Sequence, residues 1–252
     1  MSGRAYVVGG GSRGLGRAVA EELVRGGSRV VLVSRGEDSL AAVVAELGGA
    51  AIPCPADLSS PDGADAVARI VDERLDGRLD GVLVNHGGPP AGNALDLGDD
   101  QWRHAFELVV AGPLRLLRTL VPRMTEGGSV VFVASSSTRR SIPGLDTSNV
   151  LRPGIAALVG CLARELGPRI RVNALSPGRF TTERGEEVLV ARAKERGVAV
   201  EEERARMEAS IPGGRFGDPA EFAKVAAFLL SPEASYVTGA NVAVDGGLVV
   251  AP

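Results

Sequence analysis

Short apolar runs alternate with amphipathic segments along most of the chain. The run at residues 5–8 ends in three glycines, and the apolar residues after it recur at the spacing of one helix face, at Leu15, Val19 and Leu23. Strands that are apolar throughout, each followed by a helix, are typical of a parallel sheet covered on both faces. The same alternation predicts strands at 5–8, 29–33, 50–54, 81–85, 129–134, 170–175 and 240–244, and helices from 15 onward and at 39–47, 64–75, 99–124 and 149–166.

No linker-like stretch or internal repeat divides this series. The sequence therefore predicts a single α/β domain over residues 1–252, with about seven strands. Residues 181–213 interrupt the alternation with a charged, helix-prone segment. Because this segment follows the strand at 170–175, we expect it to form a helical lid over a site at the carboxyl end of that strand. A solvated helical hairpin is the alternative.

Composition and charge exclude several classes of protein. No apolar run approaches the ~20 residues that span a bilayer, and the start of the chain lacks the layout of a signal peptide, so we expect a cytoplasmic protein with no membrane partner. The net charge is −3 without a basic block, which argues against nucleic acid. Cys54, Cys161 and the two histidines show no metal-ligand spacing, so no metal site is expected. Cys161 is assigned to the core, on the apolar face of a predicted helix.

A glycine-rich turn joins the first strand to the first helix. Gly10, Gly14 and Gly16 give the spacing G-x-x-x-G-x-G. Glycine suits this position because the turn is tight, the backbone must approach a diphosphate closely and the helix must start against the strand. The turn therefore predicts a dinucleotide site, although an ordinary glycine-rich turn would have the same sequence.

Arginines near this turn indicate which nucleotide binds. Arg13 lies inside the turn, and the second strand ends in Ser34-Arg35 with no acid at its tip. A carboxylate at that tip usually holds a ribose 2′-hydroxyl, whereas arginine suits a 2′-phosphate. The acids Glu37 and Asp38 lie further on, at the start of the next predicted helix. These residues predict NADP(H) rather than NAD(H).

Further motifs follow the other strands in order. They are Asp57-Leu58, Asn85-His86-Gly87-Gly88, Pro177-Gly178 with Thr182, and Val244-Asp245-Gly246-Gly247. Together with the glycine turn they resemble the short-chain dehydrogenase/reductase family over essentially the whole chain. The resemblance implies a Rossmann-like, doubly wound parallel sheet, oxidoreductase activity on a small carbonyl or alcohol, and a homodimer or homotetramer. It places the cofactor contacts at Gly10, Ser12, Arg13, Gly14, Leu15, Gly16, Ser34, Arg35, Asp57, Leu58, Asn85, His86, Gly87, Pro177, Gly178 and Thr182.

The catalytic positions of the family are altered in this chain. The family uses a serine, a Tyr-x-x-x-Lys pair and an asparagine in a helix. The corresponding positions here are Ser135, Ser148 with Arg152, and Val109. A serine hydroxyl is much less acidic than a tyrosine and needs an adjacent base, which a guanidinium cannot be. We therefore predict catalysis by Ser135, Ser148 and Arg152 in a non-standard arrangement.

Several alternatives remain open at this stage. The chain is an NADP(H)-dependent oxidoreductase, a related protein that binds NADP(H) without ordinary redox turnover, or an enzyme whose proton donor comes from the substrate or from residues 181–213. Ser148 and Arg152 would alternatively be surface residues at a helix start, with Ser148 as the N-cap. Asp146, two residues before Ser148, is a minor candidate for a replacement acid.

Overall fold

The strands form one parallel sheet in the computed structural model, which describes residues 2–249. They are β1 (Ala5–Gly9), β2 (Arg29–Ser34), β3 (Ala51–Pro55), β4 (Leu79–Val84), β5 (Met124–Val133), β6 (Ile170–Pro177) and β7 (Asn241–Val244). Their order is β3-β2-β1-β4-β5-β6-β7, and every neighbouring pair is parallel. The chain therefore reverses its direction of travel across the sheet after β3. A crevice opens at that reversal, beyond the carboxyl ends of β1 and β4. The predicted seven-stranded, doubly wound α/β fold is confirmed.

Helices cover both faces of the sheet. They are α1 (Gly14–Arg25), α2 (Glu37–Leu47), α3 (Pro61–Leu75), α4 (Asp99–Phe106), α5 (Gly112–Leu120), α6 (Asp146–Leu166), α7 (Glu183–Arg196), α8 (Val200–Ala209) and α9 (Pro219–Leu230). On one face α3, α5 and α6 pack through residues such as Val67, Leu116 and Val159. On the other, α1 and α9 pack through Val19 and Phe222. Burial of these apolar residues on both faces positions the strand ends that carry the site.

The predicted helix at 99–124 is not continuous. It ends at Phe106, passes through a π-helical turn at Glu107–Ala111 and resumes as α5, and β5 begins at Met124. The proline after Gly112 has no N–H to donate into the preceding turn, which favours such a break. π-Helical turns occur often at functional sites, and this one carries Val109 at its centre.

Two further expectations were incomplete or wrong. The sequence pattern did not predict α9, although Asp218 and Glu221 form a capping box at its start. Cys161 is exposed on α6 rather than part of the core. The long apolar run of α6 points several small residues outward, so apolar periodicity alone misassigned this cysteine.

The charged segment after β6 folds into α7 and α8. These two helices enclose a small apolar cluster of Leu189, Met207, Ile211 and Phe216. Arg204 lies over the ring of Phe216, with 5.4 Å from Cζ to the ring centroid, and both its hydrogen bonds reach the carboxylate of Glu186. The pair of helices is thus held by its own packing, beyond the carboxyl end of β6. None of the helices in the described part of the chain has the length and apolar character needed to cross a membrane.

Candidate functional site

The residues predicted to contact a cofactor lie along one edge of the sheet. This edge is formed by the carboxyl ends of the parallel strands, where ligands bind in open α/β sheets. The strand ends and loops contribute Gly10, Ser12, Arg13, Gly14, Leu15 and Gly16 after β1, Ser34 and Arg35 at the end of β2, Asp57 and Leu58 after β3, Asn85, His86 and Gly87 after β4, and Pro177, Gly178 and Thr182 at and after the end of β6.

The glycine turn has the close backbone approaches that its sequence indicates. Gly10 and Gly14 have φ of +62° and +56°, in the left-handed region that favours glycine. A Cβ on Gly16 would lie 2.2 Å from the carbonyl oxygen of Gly10, so the start of α1 sits directly against the turn. Asn85 donates from Nδ2 to the carbonyl oxygen of Gly9 at 3.2 Å and ties the end of β4 to this turn. The result is a backbone cradle at a helix N-terminus, which fits a diphosphate.

Two arginines flank the other end of this cradle. Arg13 and Arg35 are exposed, and neither side chain has a hydrogen bond or ion pair with any described residue. Ser12 and Ser34 lie between them, with their hydroxyl oxygens 2.9 Å apart. Hydrogen bonds from Ser59, and to a smaller extent the charge of Arg35, hold the pKa of Asp57 below its usual range. This corner therefore presents two free cations and two hydroxyls to a ligand.

Thr182 joins the lid segment to the glycine turn. Its hydroxyl caps α7 by accepting from the N–H of Gly185 at 3.1 Å. A Cβ built on Gly14 would lie 3.7 Å from Cγ2 of Thr182, so the starts of α1 and α7 lie side by side. Two helix N-termini therefore face the same part of the crevice.

A Cβ on Gly178 would lie 2.6 Å from Asp245, which shows why the chain needs glycine where β6 meets the C-terminal segment.

Three serines are linked by hydrogen bonds beyond the end of β5. The N–H of Ser137 donates to Oγ of Ser135 at 3.0 Å, and the hydroxyls of Ser137 and Ser148 are 3.0 Å apart. Ser137 and Ser148 are buried. Ser137 was missed in the sequence analysis because its contact to Ser148 depends on how α6 docks against the loop after β5. The predicted residues Ser135 and Ser148 are therefore brought together through a third serine.

Arg152 lies one helical turn after Ser148 and extends beneath the same loops. It donates to the carbonyl oxygen of Val133, and from Nη2 to that of Gly87 at 2.9 Å. Its Nε is buried and has no hydrogen-bond partner in the described structure. Burial lowers the pKa of Arg152 to about 10, so the group is still a cation at neutral pH. Arg152 thus places a partly desolvated positive charge between the ends of β4 and β5.

The interpretation of Ser148 as a surface residue and N-cap is wrong, and Arg152 is partly buried rather than fully exposed. α6 begins at Asp146, so its N-cap position is occupied by Leu145. Ser148 lies in the first turn of the helix, where it is buried and does not act as a cap. Asp146 accepts hydrogen bonds from the N–H of Ala94 at 2.9 Å and from Nδ2 of Asn149 at 3.0 Å. Its carboxylate holds the loop after β4 against α6, which is a structural use of the residue proposed as a replacement acid.

A small cavity lies below Arg152. It has a volume of about 10 Å³, comparable with the space for one water molecule. His86 and Arg152 line it together with apolar side chains that include Val109, the residue at the family's asparagine position. Both ring nitrogens of His86 are buried and have no hydrogen-bond partner among the described residues. Burial, and then the charge of Arg152, lower the pKa of His86 to about 3, so the imidazole is neutral at physiological pH.

This burial predicts a pH dependence of stability that His86→Gln removes. The unfolded chain protonates this histidine near pH 6.5 and the folded chain only near pH 3, so the free energy of unfolding falls as the pH drops below 6.5. We expect the wild type to lose about 2 kcal/mol more than His86→Gln between pH 7 and pH 5. Urea unfolding of both proteins at the two pH values measures this difference. Parallel pH profiles would contradict the assignment of a buried, neutral imidazole.

The tyrosines and possible metal ligands lie outside this arrangement. Tyr6 is buried in β1, where burial raises its pKa to about 12, and Tyr236 is exposed before β7. Within residues 2–249 no three or more His, Cys, Asp or Glu side chains are grouped in a way that could hold a metal ion. At the ends of β4 and β5 the polar side chains described above are therefore serines, Arg152 and one neutral histidine.

Comparisons with known proteins find similar chains over the whole length of this one. A family model described as enoyl-(acyl carrier protein) reductase matches residues 10–249. L-Rhamnose 1-dehydrogenase (NAD(P)⁺) of Azotobacter vinelandii is 34% identical over 259 residues, covering 98% of this chain and 97% of that protein. L-Sorbose reductase of Gluconobacter frateurii, solved with NADPH and L-sorbose, has a TM-score of 0.94 at 29% identity and covers 100% and 98% of the two chains. A single-site variant of actinorhodin polyketide ketoreductase, solved with NADPH, has a TM-score of 0.91 at 28% identity, with 98% and 99% coverage.

Proposed function

Because the chain belongs to the short-chain dehydrogenase/reductase family, we propose that it is an NADP(H)-dependent oxidoreductase that interconverts the carbonyl and alcohol forms of a small molecule. In this proposal residues 1–252 act as one domain, and residues 181–213, which include α7 and α8, are the substrate lid. A homodimer or homotetramer remains the expectation from the family resemblance. A cytoplasmic location remains the expectation from the sequence.

The crevice residues fit NADP(H). Glycine at position 16 lets the start of α1 sit against the glycine turn, where a Cβ would collide with the backbone. The N–H groups at this helix start would hold the diphosphate. Arg13 and Arg35 would hold the 2′-phosphate, since guanidinium groups bind phosphate with two parallel hydrogen bonds. Thr182 and the N-terminus of α7 would hold the cofactor from the lid side. The bound nicotinamide supplies or accepts the hydride of the reaction.

The proposal is carried by the grouping of serine hydroxyls and a buried cation at the ends of β4 and β5. Ser135 accepts a hydrogen bond from the N–H of Ser137, which leaves its own hydroxyl proton to donate to a substrate carbonyl oxygen. Arg152 stabilises the negative charge that develops on that oxygen. The hydrogen-bonded pair Ser137 and Ser148 offers the proton that completes the alcohol and regains it from water.

One observation favours binding of NADP(H) without ordinary redox turnover. Ser148 stands where the family has its tyrosine, and its hydroxyl is bonded to Ser137 rather than to a base. A serine without an adjacent base is a poor proton donor at neutral pH. Losing a positioned general acid costs about 10²–10⁴ in rate. Under this second candidate function the protein would bind NADPH without oxidising it.

The test is a screen of aldehydes and ketones that follows the oxidation of NADPH. Turnover of any member, reduced by Ser135→Ala, supports the redox function. Saturable NADPH binding with no turnover across the screen would instead support the binding protein. Ser148→Tyr combined with Arg152→Lys is the companion variant: activity that appears only there shows that the wild-type site lacks a proton donor.

Replacing both free arginines is expected to reverse the cofactor preference. Arg13→Ala with Arg35→Ala removes both charges beside the predicted 2′-phosphate, each worth about 1.5–3 kcal/mol in a charge-assisted hydrogen bond. We expect NADPH affinity to fall by roughly 100-fold or more while NADH affinity changes by less than about threefold. Fluorescence titration with each nucleotide measures the ratio. An unchanged ratio of the two affinities would contradict the assignment of this corner to the phosphate.

A further inference from the structure

An excess of arginines lies on the lid side of the crevice, apart from the nucleotide corner. Arg179 follows Pro177-Gly178 directly and is half-buried; its Nη1 donates to the carbonyl oxygen of Met207 at 2.8 Å and to Oγ of Ser210 at 2.9 Å. These contacts join the end of β6 to the end of α8. Burial, and then the nearby charges of Arg192, Arg140 and Arg206, lower the pKa of Arg179. The guanidinium group of Arg179 is therefore repelled by three other arginines, from the loop after β5, from α7 and from α8.

A single buried carboxylate offsets part of this charge. Glu203 accepts from Arg206 at 2.8 and 2.5 Å, and Oε2 of Glu203 is 3.3 Å from Nε of Arg196. Arg192 also lowers the pKa of Glu203, after the larger effects of Arg206 and Arg196. Arg140, Arg179, Arg192, Arg196 and Arg206 together carry +5 and Glu203 carries −1, so these six groups have a net charge of about +4 at neutral pH. Arg204 is paired with Glu186 instead and adds nothing to this excess.

Two of these arginines are available to a ligand. The side chains of Arg140 and Arg192 make no hydrogen bond or ion pair with the rest of the described chain. Arg140 belongs to the loop that begins at Ser135, and its N–H donates to the carbonyl oxygen of Ser136. Arg192 approaches from α7 on the lid. The two cations therefore come from different elements, the loop that carries the serine group and the first helix of the lid.

This cluster is not the 2′-phosphate site. Arg35 lies at the end of β2 and Arg179 at the end of β6, with β1, β4 and β5 between them. Neighbouring strands are about 4.8 Å apart, so these two strand ends are separated by roughly 19 Å. Guanidinium groups that cannot be neutralised within the fold are suited to bind carboxylate or phosphate.

We propose that the substrate carries a carboxylate or phosphate group and that Arg140, Arg179 and Arg192 bind it between the end of β6 and the lid helices. This proposal rests on the proposed function in one respect: the anionic group is part of the carbonyl compound that is reduced. Binding of the anion itself is independent of turnover.

Matched carbonyl pairs test the substrate class. Succinic semialdehyde is compared with butanal, and glyceraldehyde 3-phosphate with glyceraldehyde, in NADPH-dependent reduction. We expect kcat/KM to be at least about 100-fold higher for the charged member of at least one pair, which corresponds to two charge-assisted contacts. Arg140→Gln with Arg192→Gln is expected to remove most of that preference, because kcat/KM falls much more for the charged member than for the neutral one. Arg78→Gln, an exposed arginine just before the amino end of β4, is the matched control for loss of charge.

A binding measurement separates the two proposals. Binding of succinate and of inorganic phosphate is measured by calorimetric titration at constant ionic strength and with saturating NADPH. We expect at least one of these anions to bind the wild type, and to bind the variant with Arg140→Gln and Arg192→Gln at least about 10-fold more weakly. Anion binding that depends on these arginines without any carbonyl turnover supports the anion site and counts against the redox function. Turnover that is equal for charged and neutral members, and unchanged in the variant, overturns the anion proposal and leaves the redox function standing. Absence of binding of either anion overturns it as well.

Discussion

An alanine at Gly16 is expected to abolish NADPH binding and to destabilise the fold. The added Cβ would lie 2.2 Å from the carbonyl oxygen of Gly10 and 2.9 Å from that of Gly9, and neither backbone atom can rotate away. Overpacking of this kind costs roughly 1–3 kcal/mol, and more where the backbone must shift. The start of α1 would move off the turn, and its free N–H groups would no longer converge on one phosphate position. We expect the NADPH dissociation constant to rise more than about 100-fold, or about 3 kcal/mol.

Fluorescence titration with NADPH, combined with thermal melting followed by circular dichroism, measures both effects. The matched control is Gly49→Ala, since a Cβ there would meet no described atom within 4 Å. We expect this control to bind NADPH and to melt as the wild type does. A Gly16→Ala protein that binds NADPH normally would show that the turn does not hold the diphosphate.

The elements that sequence could predict are those whose causes are local. The strand ends and the turn at Gly10, Gly14 and Gly16 follow from apolar runs, helix spacing and the conformational freedom of glycine, all of which act over a few residues. Parallel pairing then brings the separate strand ends to one edge without further information. For this reason the contact between the glycine turn and the end of β2, where the hydroxyls of Ser12 and Ser34 are 2.9 Å apart, follows from two distant segments.

What the sequence did not indicate depends on contacts between distant elements. Ser137 is one of three consecutive serines, and only the docking of α6 selects it as the partner of Ser148. The cavity beneath Arg152 needs His86 from one loop and Val109 from a π-helical turn that propensities do not predict. The arginine cluster around Glu203 and Arg179 likewise exists because α7 and α8 fold against each other and against the end of β6. In the sequence its members are ordinary charged residues of separate segments.

The fold also changes what the loss of tyrosine and lysine means. A surface location for Ser148 and Arg152 would have made them remnants of a degenerated site. Instead Ser148 is buried, and Arg152 is partly buried, with an unpartnered Nε and no carboxylate partner in the described chain. A partly desolvated cation with no counter-ion costs free energy, which an anionic or developing negative charge beside it would offset. That uncompensated charge is the physical reason to expect a role for Arg152 in binding or in stabilising negative charge.

Arg152→Gln is therefore expected to lower kcat/KM for carbonyl reduction by about 10²–10⁴-fold, mainly through kcat. Removing a positioned charge beside a developing oxyanion costs about 3–5 kcal/mol of transition-state stabilisation. The carbonyl oxygens of Val133 and Gly87 also lose their donor, so we expect the free energy of unfolding to fall by about 1–3 kcal/mol. Steady-state kinetics with NADPH and the best carbonyl from the screen, together with urea unfolding, measure the two effects separately.

The two effects are distinguished by a buried arginine that has only a structural role. Arg171 donates to the carbonyl oxygens of Leu229 at 2.9 Å and Ser231 at 2.7 Å, near the amino end of β6 and away from the crevice. Arg171→Gln should cost as much stability as Arg152→Gln but change kcat/KM by less than about threefold. Arg152→Lys keeps the charge and loses the planar fork, so it should recover part of kcat. The contrary result is that Arg152→Gln and Arg171→Gln lose stability equally and both keep their activity. In that case Arg152 only holds the ends of β4 and β5 together, and the serine hydroxyls alone must stabilise the negative charge at the substrate oxygen.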